Sequence, residues 1–282
     1  MRKGIAKRGI ICYTESKSKK GKINMKSIAI ITGASSGIGK VFTKTLSEHS
    51  KYDEVWVIAR SRERLEELRN TVELPLRPIP LDLTKESSLS TLKELLDGEK
   101  PRISLLINCS GYGKFDSFEN LSFEENMGMI ELNVSALTAL TYISLPYMDK
   151  GSEILNVASV AAFQPIPYIG VYGATKSYVL NFSRAIGREL KKRGIRVFAV
   201  CPFWTKTDFF DRAIDENKER VVKKYAAMYT PEYIVNYTWR AMKNKHKDHC
   251  IPGFKAKLQV LGVKLLPAKL IMNIWQSQQK LK

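Results

Sequence analysis

One stretch of this 282-residue chain decides its fold: Thr32-Gly33-Ala34-Ser35-Ser36-Gly37-Ile38-Gly39. An Ile-rich run at 26–31 precedes it, which is typical of a strand buried on both faces, and apolar residues at helical spacing follow at 40–49. Glycine permits positive φ and close approach of the backbone to a pyrophosphate, and the N-terminus of the next helix favours negative charge. The stretch predicts dinucleotide binding, with a purely structural turn as the alternative. The residues expected to bind the phosphates are Gly33, Ser35, Ser36, Gly37, Ile38 and Gly39.

Strands and helices alternate along the rest of the chain. Apolar runs predict further strands at 55–59, 76–81, 103–108, 153–157 and 196–200. Helical spacing predicts helices at 63–68, 85–96, 123–147 and 172–193, the third of them broken near Pro146. Because no two strands follow one another directly, the pattern predicts an α/β protein. The expected architecture is a doubly wound parallel sheet with helices on both faces (a Rossmann fold) in a single domain.

The charge of the chain is concentrated at its two ends. The net charge is +18, yet residues 27–242 carry only two more basic than acidic residues. Residues 1–26 hold nine basic residues and one acid, and residues 243–282 hold nine lysines and one aspartate. A near-neutral body argues against nucleic acid as a partner. The basic ends suit contact with anionic surfaces such as lipid head groups, or they keep the chain soluble.

Arg60 follows the second predicted strand, at the position that contacts the ribose in this kind of fold. A carboxylate there would bind the 2′-hydroxyl of NAD, but the first acid is Glu63. A guanidinium forms charge-assisted hydrogen bonds to a 2′-phosphate, so the sequence favours NADP, with NAD less favoured. The alternative is that Arg60 only solvates the start of a helix.

Tyr172 and Lys176 stand four residues apart at the start of a predicted helix, so both side chains lie on one face. A phenol has a pKa near 10, and a cation about 4–6 Å away lowers it toward neutral pH, where a general acid or base works best. Ser159 follows the strand at 153–157, and Asn133 stands inside a predicted helix, where asparagine is unfavourable. The alternatives are a solvated Tyr–Lys pair and a hydrogen-bonded Asn133 at a helix kink.

In their order and spacing these residues resemble the short-chain dehydrogenase/reductase family in its single-domain form. The resemblance covers about residues 25–210. The residues that carry it are Thr32–Gly39, Asp82, Asn108–Gly111, Asn133, Ser159, Tyr172, Lys176 and Pro202. It implies an oxidoreductase that transfers a hydride between NADP(H) and a carbonyl or alcohol.

The resemblance also implies a role for each catalytic candidate. Tyr172 would be the general acid that donates a proton to the substrate oxygen, and Ser159 would hydrogen-bond the same oxygen. Lys176 would lower the pKa of Tyr172 and hold the nicotinamide ribose. Asn133 would bind a water that connects Lys176 to solvent.

Further cofactor contacts follow from the resemblance. They are Asp82 and Leu83 for the adenine, Asn108 and Gly111 for the adenosine ribose, and Pro202 and Thr205 for the nicotinamide, with Tyr172 and Lys176 beside it. Two departures stand out: Cys109-Ser110 replaces Asn-Ala after the fourth strand, and Phe203 replaces a glycine after Pro202. Because Phe does not easily take positive φ, we expect a differently shaped loop over the nicotinamide.

Aromatic residues are frequent in the segments 161–170 and 203–239, where substrate selectivity lies in this fold. They are Phe163, Tyr168, Phe203, Trp204, Phe209, Phe210, Tyr225, Tyr229 and Tyr233. An aromatic lining predicts a small apolar carbonyl or alcohol substrate, such as a lipid-like, steroid-like or aromatic ketone. Alternatively, these side chains pack a lid, at about 203–240, onto the core.

Residues 254–282 form a basic amphipathic C-terminal segment. Leu258, Leu261 and Leu265 fall on one helical face with lysines beside them, and Pro267 divides the segment into two short helices. Such helices lie in a membrane interface, cover the substrate pocket or contact a partner subunit. We expect a homo-oligomer. We expect no metal site at His246, His249 and Cys250, because lysines surround them and a fourth ligand is lacking.

The domain boundaries follow from these patterns. Residues 1–24 are expected to be a flexible basic extension, although Met25 could be the true start and a mitochondrial-type leader is an alternative. Residues 25–253 are the dinucleotide-binding catalytic domain. Four cysteines without close pairing suit a reducing compartment, so we expect a cytoplasmic protein, with membrane association through its C-terminal segment as an option. No run of 18 apolar residues occurs, so we expect no membrane-spanning helix.

A second class of function is a non-catalytic protein that senses NADP and regulates a partner. The complete set of Ser159, Tyr172 and Lys176 argues against it, because a sensor needs no proton donor.

Overall fold

The computed structural model describes residues 25–213 and 221–281. The predicted extension at 1–24 lies outside this part of the chain. Within it, seven parallel strands form one sheet in the order β3-β2-β1-β4-β5-β6-β7. Their bounds are β1 Ser27–Thr32, β2 Glu54–Ala59, β3 Leu76–Pro80, β4 Arg102–Asn108, β5 Glu153–Val157, β6 Arg196–Val200 and β7 His249–Cys250. The predicted doubly wound parallel sheet is confirmed.

Helices connect the strands and cover both faces of the sheet. The first five are α1 Gly37–Lys44, α2 Arg62–Arg69, α3 Glu86–Glu99, α4 Phe123–Ile130 and α5 Leu137–Ser144. The next five in the described part are α6 Gly170–Leu190, α7 Phe209–Ala213, α8 Pro231–Met242, α9 Phe254–Leu265 and α10 Ala268–Gln279.

Both faces of the sheet are buried, as the Ile-rich first strand predicts. In β1, Ala29 and Ile31 pack on the side of α1, α2 and α8, whereas Ile28 and Ile30 pack on the side of α3 and α5. All four side chains are fully buried. Burying one aliphatic side chain of this size contributes about 1.5–3 kcal/mol, so the two-faced burial of the central strands holds the sheet rigid beneath the loops at its edge.

A π-helical turn at Glu131–Ala136 joins α4 to α5. Asn133 lies in this π-helical turn, so the helix is irregular at the residue for which a kink was considered. The predicted break near Pro146 corresponds to a 3-10 turn at Leu145–Tyr147. Among the described residues, Phe123–Tyr147 is the one helical run long and apolar enough to cross a membrane by length and composition. Its Met129 and Leu140 are buried in the core.

Two elements differ from the sequence-based expectation. Strand β7 has only two residues, too short for an alternation pattern to reveal it. Helix α8, expected to belong to a lid, packs its Ile234 and Trp239 against the core beside α1. Within the segment 203–240 that was predicted as a lid, α8 therefore covers the core and does not line the cavity, and the rest of the lid stays a prediction.

The strand order reverses at β1: β2 and β3 follow on one side of it, and β4 and the later strands lie on the other side. At such a switch point the loops after the strands diverge and leave a crevice at the carboxyl edge of the sheet. The Gly-rich turn follows β1, the segment Asn108–Gly111 continues from β4, and Ser159 follows β5. The fold therefore brings the predicted phosphate turn and the predicted catalytic residues to one edge.

Candidate active site

The Gly-rich turn has the conformation that its sequence predicts. Gly33 and Gly37 have φ angles of +66° and +52°, which favour glycine. A Cβ on Gly39 would lie 2.7 Å from the carbonyl carbon of Gly33, so a side chain does not fit there. Ser36 precedes α1 and makes no side-chain hydrogen bond to its first turn. The backbone N–H groups at the start of α1 are thus left without a side-chain cap, as an anion site requires.

A single cavity of about 1270 Å³ runs from the Gly-rich turn to the predicted catalytic residues. The predicted cofactor-binding residues that line it are Gly33, Ser35, Ser36, Gly37, Ile38, Gly39, Arg60, Asp82, Leu83, Gly111, Pro202 and Thr205. Ser159, Tyr172 and Lys176 line it as well. Gly37 and Tyr172 line the same cavity, so a cofactor bound at the Gly-rich turn can extend to the phenol.

Two arginines line the cavity beyond the end of β2. Arg60 is exposed, and Arg64 lies 3.7 Å from Asp208. The nearest acid in sequence, Glu63, accepts a hydrogen bond from Ser61 at 2.9 Å and does not line the cavity. The cavity wall after β2 is therefore cationic, without a carboxylate at the ribose position.

Asp82 follows β3 and is held by its own loop. Its Oδ1 accepts hydrogen bonds from the Thr84 backbone N–H and hydroxyl, at 3.1 and 2.8 Å. Burial alone would raise the pKa of Asp82, but these hydrogen bonds and the nearby Arg60 outweigh burial and lower it. An ionised carboxylate therefore faces the cavity at the position expected to contact the adenine.

Ser159, Tyr172 and Lys176 lie together. The Ser159 hydroxyl hydrogen-bonds the Tyr172 phenol and accepts the Ala161 N–H at 3.1 Å. Lys176 donates from Nζ to the Val157 carbonyl at 2.8 Å, and its Nζ lies 5.8 Å from the centre of the Tyr172 ring. A Cβ on Gly113 would lie 2.8 Å from Cδ2 of Tyr172, so this glycine makes room for the phenol.

The electrostatics of the pair differ from the expectation. Burial raises the pKa of Tyr172 to about 12, against a lowering contribution from the Ser159 hydrogen bond. Burial also lowers the pKa of Lys176 to about 8, although the Cys109 and Cys201 thiols oppose that shift. The expected lowering of the Tyr172 pKa by Lys176 was wrong for this structure, because burial of the phenol dominates. At neutral pH Tyr172 carries its proton and Lys176 is mostly charged.

Asn133 lies in the π-helical turn and does not line the cavity. Its Oδ1 accepts the Tyr112 N–H at 3.0 Å, and its Nδ2 donates to the Tyr112 carbonyl at 2.8 Å and the Thr175 hydroxyl at 3.0 Å. These bonds use both hydrogens of the side-chain amide and one lone pair of its oxygen. The expected water contact of Asn133 stays a prediction. A Cβ on Gly111 would lie 2.9 Å from Oδ1 of Asn133 and 3.3 Å from Nζ of Lys176. Asn133 thus fixes the loop against which Lys176 lies.

Asn108 also departs from its expected place. Its Nδ2 donates to the Thr141 hydroxyl at 3.2 Å and to Asn156 Oδ1 at 2.8 Å, inside the sheet. The side chain is buried and Asn108 is absent from the cavity wall, so the side chain does not reach the cavity in this structure. The expected contact with the adenosine ribose stays a prediction. The last residue of a parallel strand points into one of the covered faces, and here that face is polar.

The far end of the cavity is apolar. Of the predicted aromatic residues, Phe203, Trp204, Phe209 and Phe210 line it, while Tyr225 packs behind Trp204 and Phe210. Those outside the cavity wall are Phe163, Tyr168, Tyr225, Tyr229 and Tyr233. Phe203 avoids positive φ, so the loop after Pro202 accommodates it in an ordinary backbone conformation.

The C-terminal helices α9 and α10 form one wall of the cavity, as in one of the three alternatives considered for this segment. The residues of α9, α10 and their connection that line the cavity are Gln259, Gly262, Val263, Leu266, Ile271, Ile274, Trp275, Gln278 and Gln279. Trp275 donates from its indole N–H to the Pro167 carbonyl at 3.0 Å and stacks on Trp204. Gln279 is buried and accepts the N–H groups of Lys223 and Lys224 at 2.8 and 2.9 Å. These bonds fasten α10 over the cavity.

Lys114, Phe115 and Gln164 also line the cavity, although nothing in the sequence pattern singled them out. Phe115 and Tyr172 make an edge contact between their rings, with centres 6.2 Å apart. The signal that could have found Phe115 is its place shortly after the fourth strand, in a loop that must pass the site.

Comparison with known proteins agrees with this geometry. The family model for short chain dehydrogenases matches residues 27–218. An uncharacterized oxidoreductase of Staphylococcus epidermidis is 28% identical over 179 residues, which cover 63% of this chain and 77% of that protein. Very-long-chain 3-oxoacyl-CoA reductase-B of Danio rerio is 29% identical over 260 residues, which cover 86% of this chain and 77% of that protein.

A solved structure is similar as well. A short-chain dehydrogenase from Sphingobium yanoikuyae in complex with NADPH superposes with a TM-score of 0.70 at 28% identity, covering 85% of this chain and 93% of that one. The family match, the phosphate turn and the shared cavity agree with one another. The chain belongs to the short chain dehydrogenase family and is a nicotinamide-dependent oxidoreductase of alcohol or carbonyl groups.

Proposed function

We propose that this protein reduces an apolar carbonyl compound with NADPH, and that Tyr172 is the proton donor. One observation carries the proposal: a single cavity connects the Gly-rich turn, the Ser159–Tyr172–Lys176 group and a wall of apolar side chains. At about 1270 Å³ it exceeds the roughly 300–1,000 Å³ of a site for one drug-sized ligand, so a dinucleotide and a substrate have room side by side.

The choice of NADP over NAD rests on the end of β2. Arg60, Ser61 and Arg64 line the cavity there, and Glu63 does not. A 2′-phosphate accepts charge-assisted hydrogen bonds from guanidinium groups, whereas a ribose 2′-hydroxyl gains little from them. The uncapped start of α1 suits the pyrophosphate of either dinucleotide.

The residues of this chain supply the proton and hold the substrate oxygen in place. A bound nicotinamide cofactor supplies the hydride. The Tyr172 hydroxyl donates its proton to the substrate oxygen as the carbonyl becomes an alcohol, and Ser159 holds that oxygen beside the phenol. The resulting phenolate lies near the Lys176 ammonium, which stabilises its charge until the proton is replaced from solvent. Asn133 is a positioning residue, because its bonds to Tyr112 fix the loop beside Lys176.

The substrate class follows from the apolar wall. Trp204, Phe209, Phe210 and Trp275 form a continuous aromatic cluster at the end of the cavity beyond Tyr172. Such a wall gains free energy by covering a lipid-like, steroid-like or aromatic ketone. The name of the Danio rerio relative, a very-long-chain 3-oxoacyl-CoA reductase, refers to a carbonyl on a long apolar acyl chain that is joined to a polar CoA.

Oxidation of NADPH in the presence of a panel of apolar ketones tests the proposal. Tyr172→Phe should lower turnover by at least about a hundredfold, because general acid catalysis contributes about 10²–10⁴-fold, and should leave NADPH binding within a factor of about two. Tyr178→Phe is the matched control, since Tyr178 lies on the same helix, bonds Thr138 and is outside the cavity. NADPH binding without turnover of any ketone in the wild type would favour the sensor alternative.

We also propose a homo-oligomer in a reducing compartment such as the cytoplasm. Tyr142 on α5 and Tyr178 on α6 are exposed, and Tyr178 hydrogen-bonds Thr138, which stands one helical turn before Tyr142, so both rings are available to a second copy. The cysteines of the described residues are free thiols. Light scattering of the wild type and Tyr142→Glu tests the oligomer, and a monomeric wild type would contradict it.

A further inference from the structure

The C-terminal helices carry an exposed apolar face. Of the fifteen large apolar side chains that are exposed in the described residues, seven lie between 254 and 274. They are Phe254, Leu258, Leu261, Leu265, Leu266, Leu270 and Ile274, which we call the C-terminal apolar face. Apolar side chains are exposed singly on most proteins, whereas a contiguous group of this size marks an interaction surface.

The spacing of four of these residues places them on one side of α9. Phe254, Leu258, Leu261 and Leu265 recur every three or four residues, so they form a stripe along α9. The opposite side of α9 is fixed, because Ala256 and Val260 are buried against Val160. The helix therefore cannot rotate its apolar stripe inward, and the stripe is committed to the outside.

The charge beside this face has one sign. Residues 254–281 contain five lysines, at 255, 257, 264, 269 and 280, and no acidic residue. Lys257 lies over the Tyr237 ring and Lys264 over the Phe163 ring, so their stems run along the protein beside the stripe. An apolar stripe flanked by lysines is the pattern of a helix that lies in the interface of an anionic bilayer.

The mouth of the cavity opens at the same face. Leu266 and Ile274 both line the cavity and are more than 40% exposed. Trp275, next to Ile274, joins the aromatic wall through Trp204. An apolar path thus leads from the exposed face into the substrate end of the cavity.

We propose that the C-terminal apolar face docks on an anionic lipid bilayer, with the cavity mouth turned toward the lipid. A second copy on this face is disfavoured, because a two-fold contact of α9 and α10 would bring two sets of lysines together without a carboxylate from residues 254–281 of either copy. The docking is independent of the reaction. Only the corollary that apolar substrate enters from the bilayer rests on the proposed function.

Sedimentation of the full chain with vesicles tests the docking. Vesicles of phosphatidylcholine with phosphatidylserine are compared with vesicles of phosphatidylcholine alone, for the wild type, Phe254→Glu and Phe123→Glu. The two substitutions are matched, because both phenylalanines are the first residue of a helix and are 77% and 73% exposed. Phe254→Glu should lower the partition coefficient by about tenfold or more, while Phe123→Glu should stay within about a factor of two of the wild type.

Because residues 1–24 are also basic, it is the difference between the two variants that assigns the binding to this face. Equal sedimentation of both variants would overturn the proposal, as would equal binding to the two kinds of vesicle. A change in oligomeric state on Phe254→Glu without a change in sedimentation would also overturn it, in favour of a second copy on this face. NADPH binding is measured on the same samples to distinguish failure of the docking proposal from failure of the proposed function. A Phe254→Glu protein that binds NADPH but no longer sediments with the vesicles supports docking, whatever the outcome of the ketone panel.

Discussion

Gly39→Ala adds one methyl group at the tightest point of the phosphate turn. The new Cβ would lie 2.7 Å from the carbonyl carbon of Gly33 and 3.3 Å from the Cα of Ala34. Carbon atoms pack at about 3.5–4.0 Å, so the first contact is short by about 1 Å. Because the opposing atoms belong to the backbone, α1 has to move away from the turn by a comparable distance.

That displacement acts directly on the cofactor. The N–H groups at the start of α1 are the donors that a pyrophosphate would use, and a hydrogen bond to a charged group is worth about 1.5–3 kcal/mol. Since each 1.4 kcal/mol changes Kd tenfold, losing one such bond raises the Kd for NADPH by about 10–100-fold. The structure therefore predicts weak cofactor binding from a single methyl group.

Fluorescence titration with NADPH measures this effect. Gly98→Ala is the control, because Gly98 also lies within a helix, α3, and no atom lies within 4 Å of the Cβ that it would gain. We expect the control to bind NADPH as the wild type does and to be more stable by about 0.5–1 kcal/mol. Identical NADPH affinities for Gly39→Ala and the wild type would refute the reasoning that the turn leaves no room at Gly39.

Three further changes have expected outcomes. Arg60→Ala should raise the Kd for NADPH by about tenfold or more and leave that for NADH nearly unchanged, and equal effects would contradict an NADP preference. Gln279→Leu removes the acceptor of two buried backbone N–H groups, and amide exchange at 223–224 should accelerate by about tenfold or more. Burial opposes ionisation of Glu153, but hydrogen bonds from His49 and Lys245 outweigh it and lower its pKa to about 2. The resulting stability is present above pH 4.5 and is lost as pH falls toward 2, so Glu153→Gln should unfold more easily in urea at pH 7 and should lose less stability than the wild type between pH 7 and pH 3.

The sequence predicted the sheet and the phosphate turn because both depend on short-range patterns. A strand buried on both faces consists of a run of apolar residues, as in β1. The positive φ angles at Gly33 and Gly37 favour glycine, which the sequence has at both positions. Tyr172 and Lys176 were found for the same reason, since four residues along a helix fix their shared face.

The features that the sequence did not give depend on contacts between distant parts of the chain. Whether α8 covers the cavity or the core is decided by the partners of Ile234 and Trp239, which lie near residues 42–46. The amphipathic pattern of α9 predicts that one face is buried. It does not predict that Ala256 and Val260 pack against Val160 while the leucines remain exposed. Asn108 is similar: its type suits a ribose, but hydrogen bonds to Asn156 on β5 and Thr141 on α5 hold its side chain inside the protein.

The pKa values of Tyr172 and Lys176 bear on the proposed proton donation. Spacing alone suggested a phenol acidified by its lysine, but Phe115 and Phe209 surround Tyr172 and burial raises its pKa to about 12. At pH 7 the phenol therefore keeps its proton before anything binds. The same burial lowers the pKa of Lys176 to about 8, which leaves an ammonium at neutral pH to receive the phenolate formed by proton donation. A buried neutral phenol beside a charged lysine can donate a proton, which is what the proposed carbonyl reduction requires.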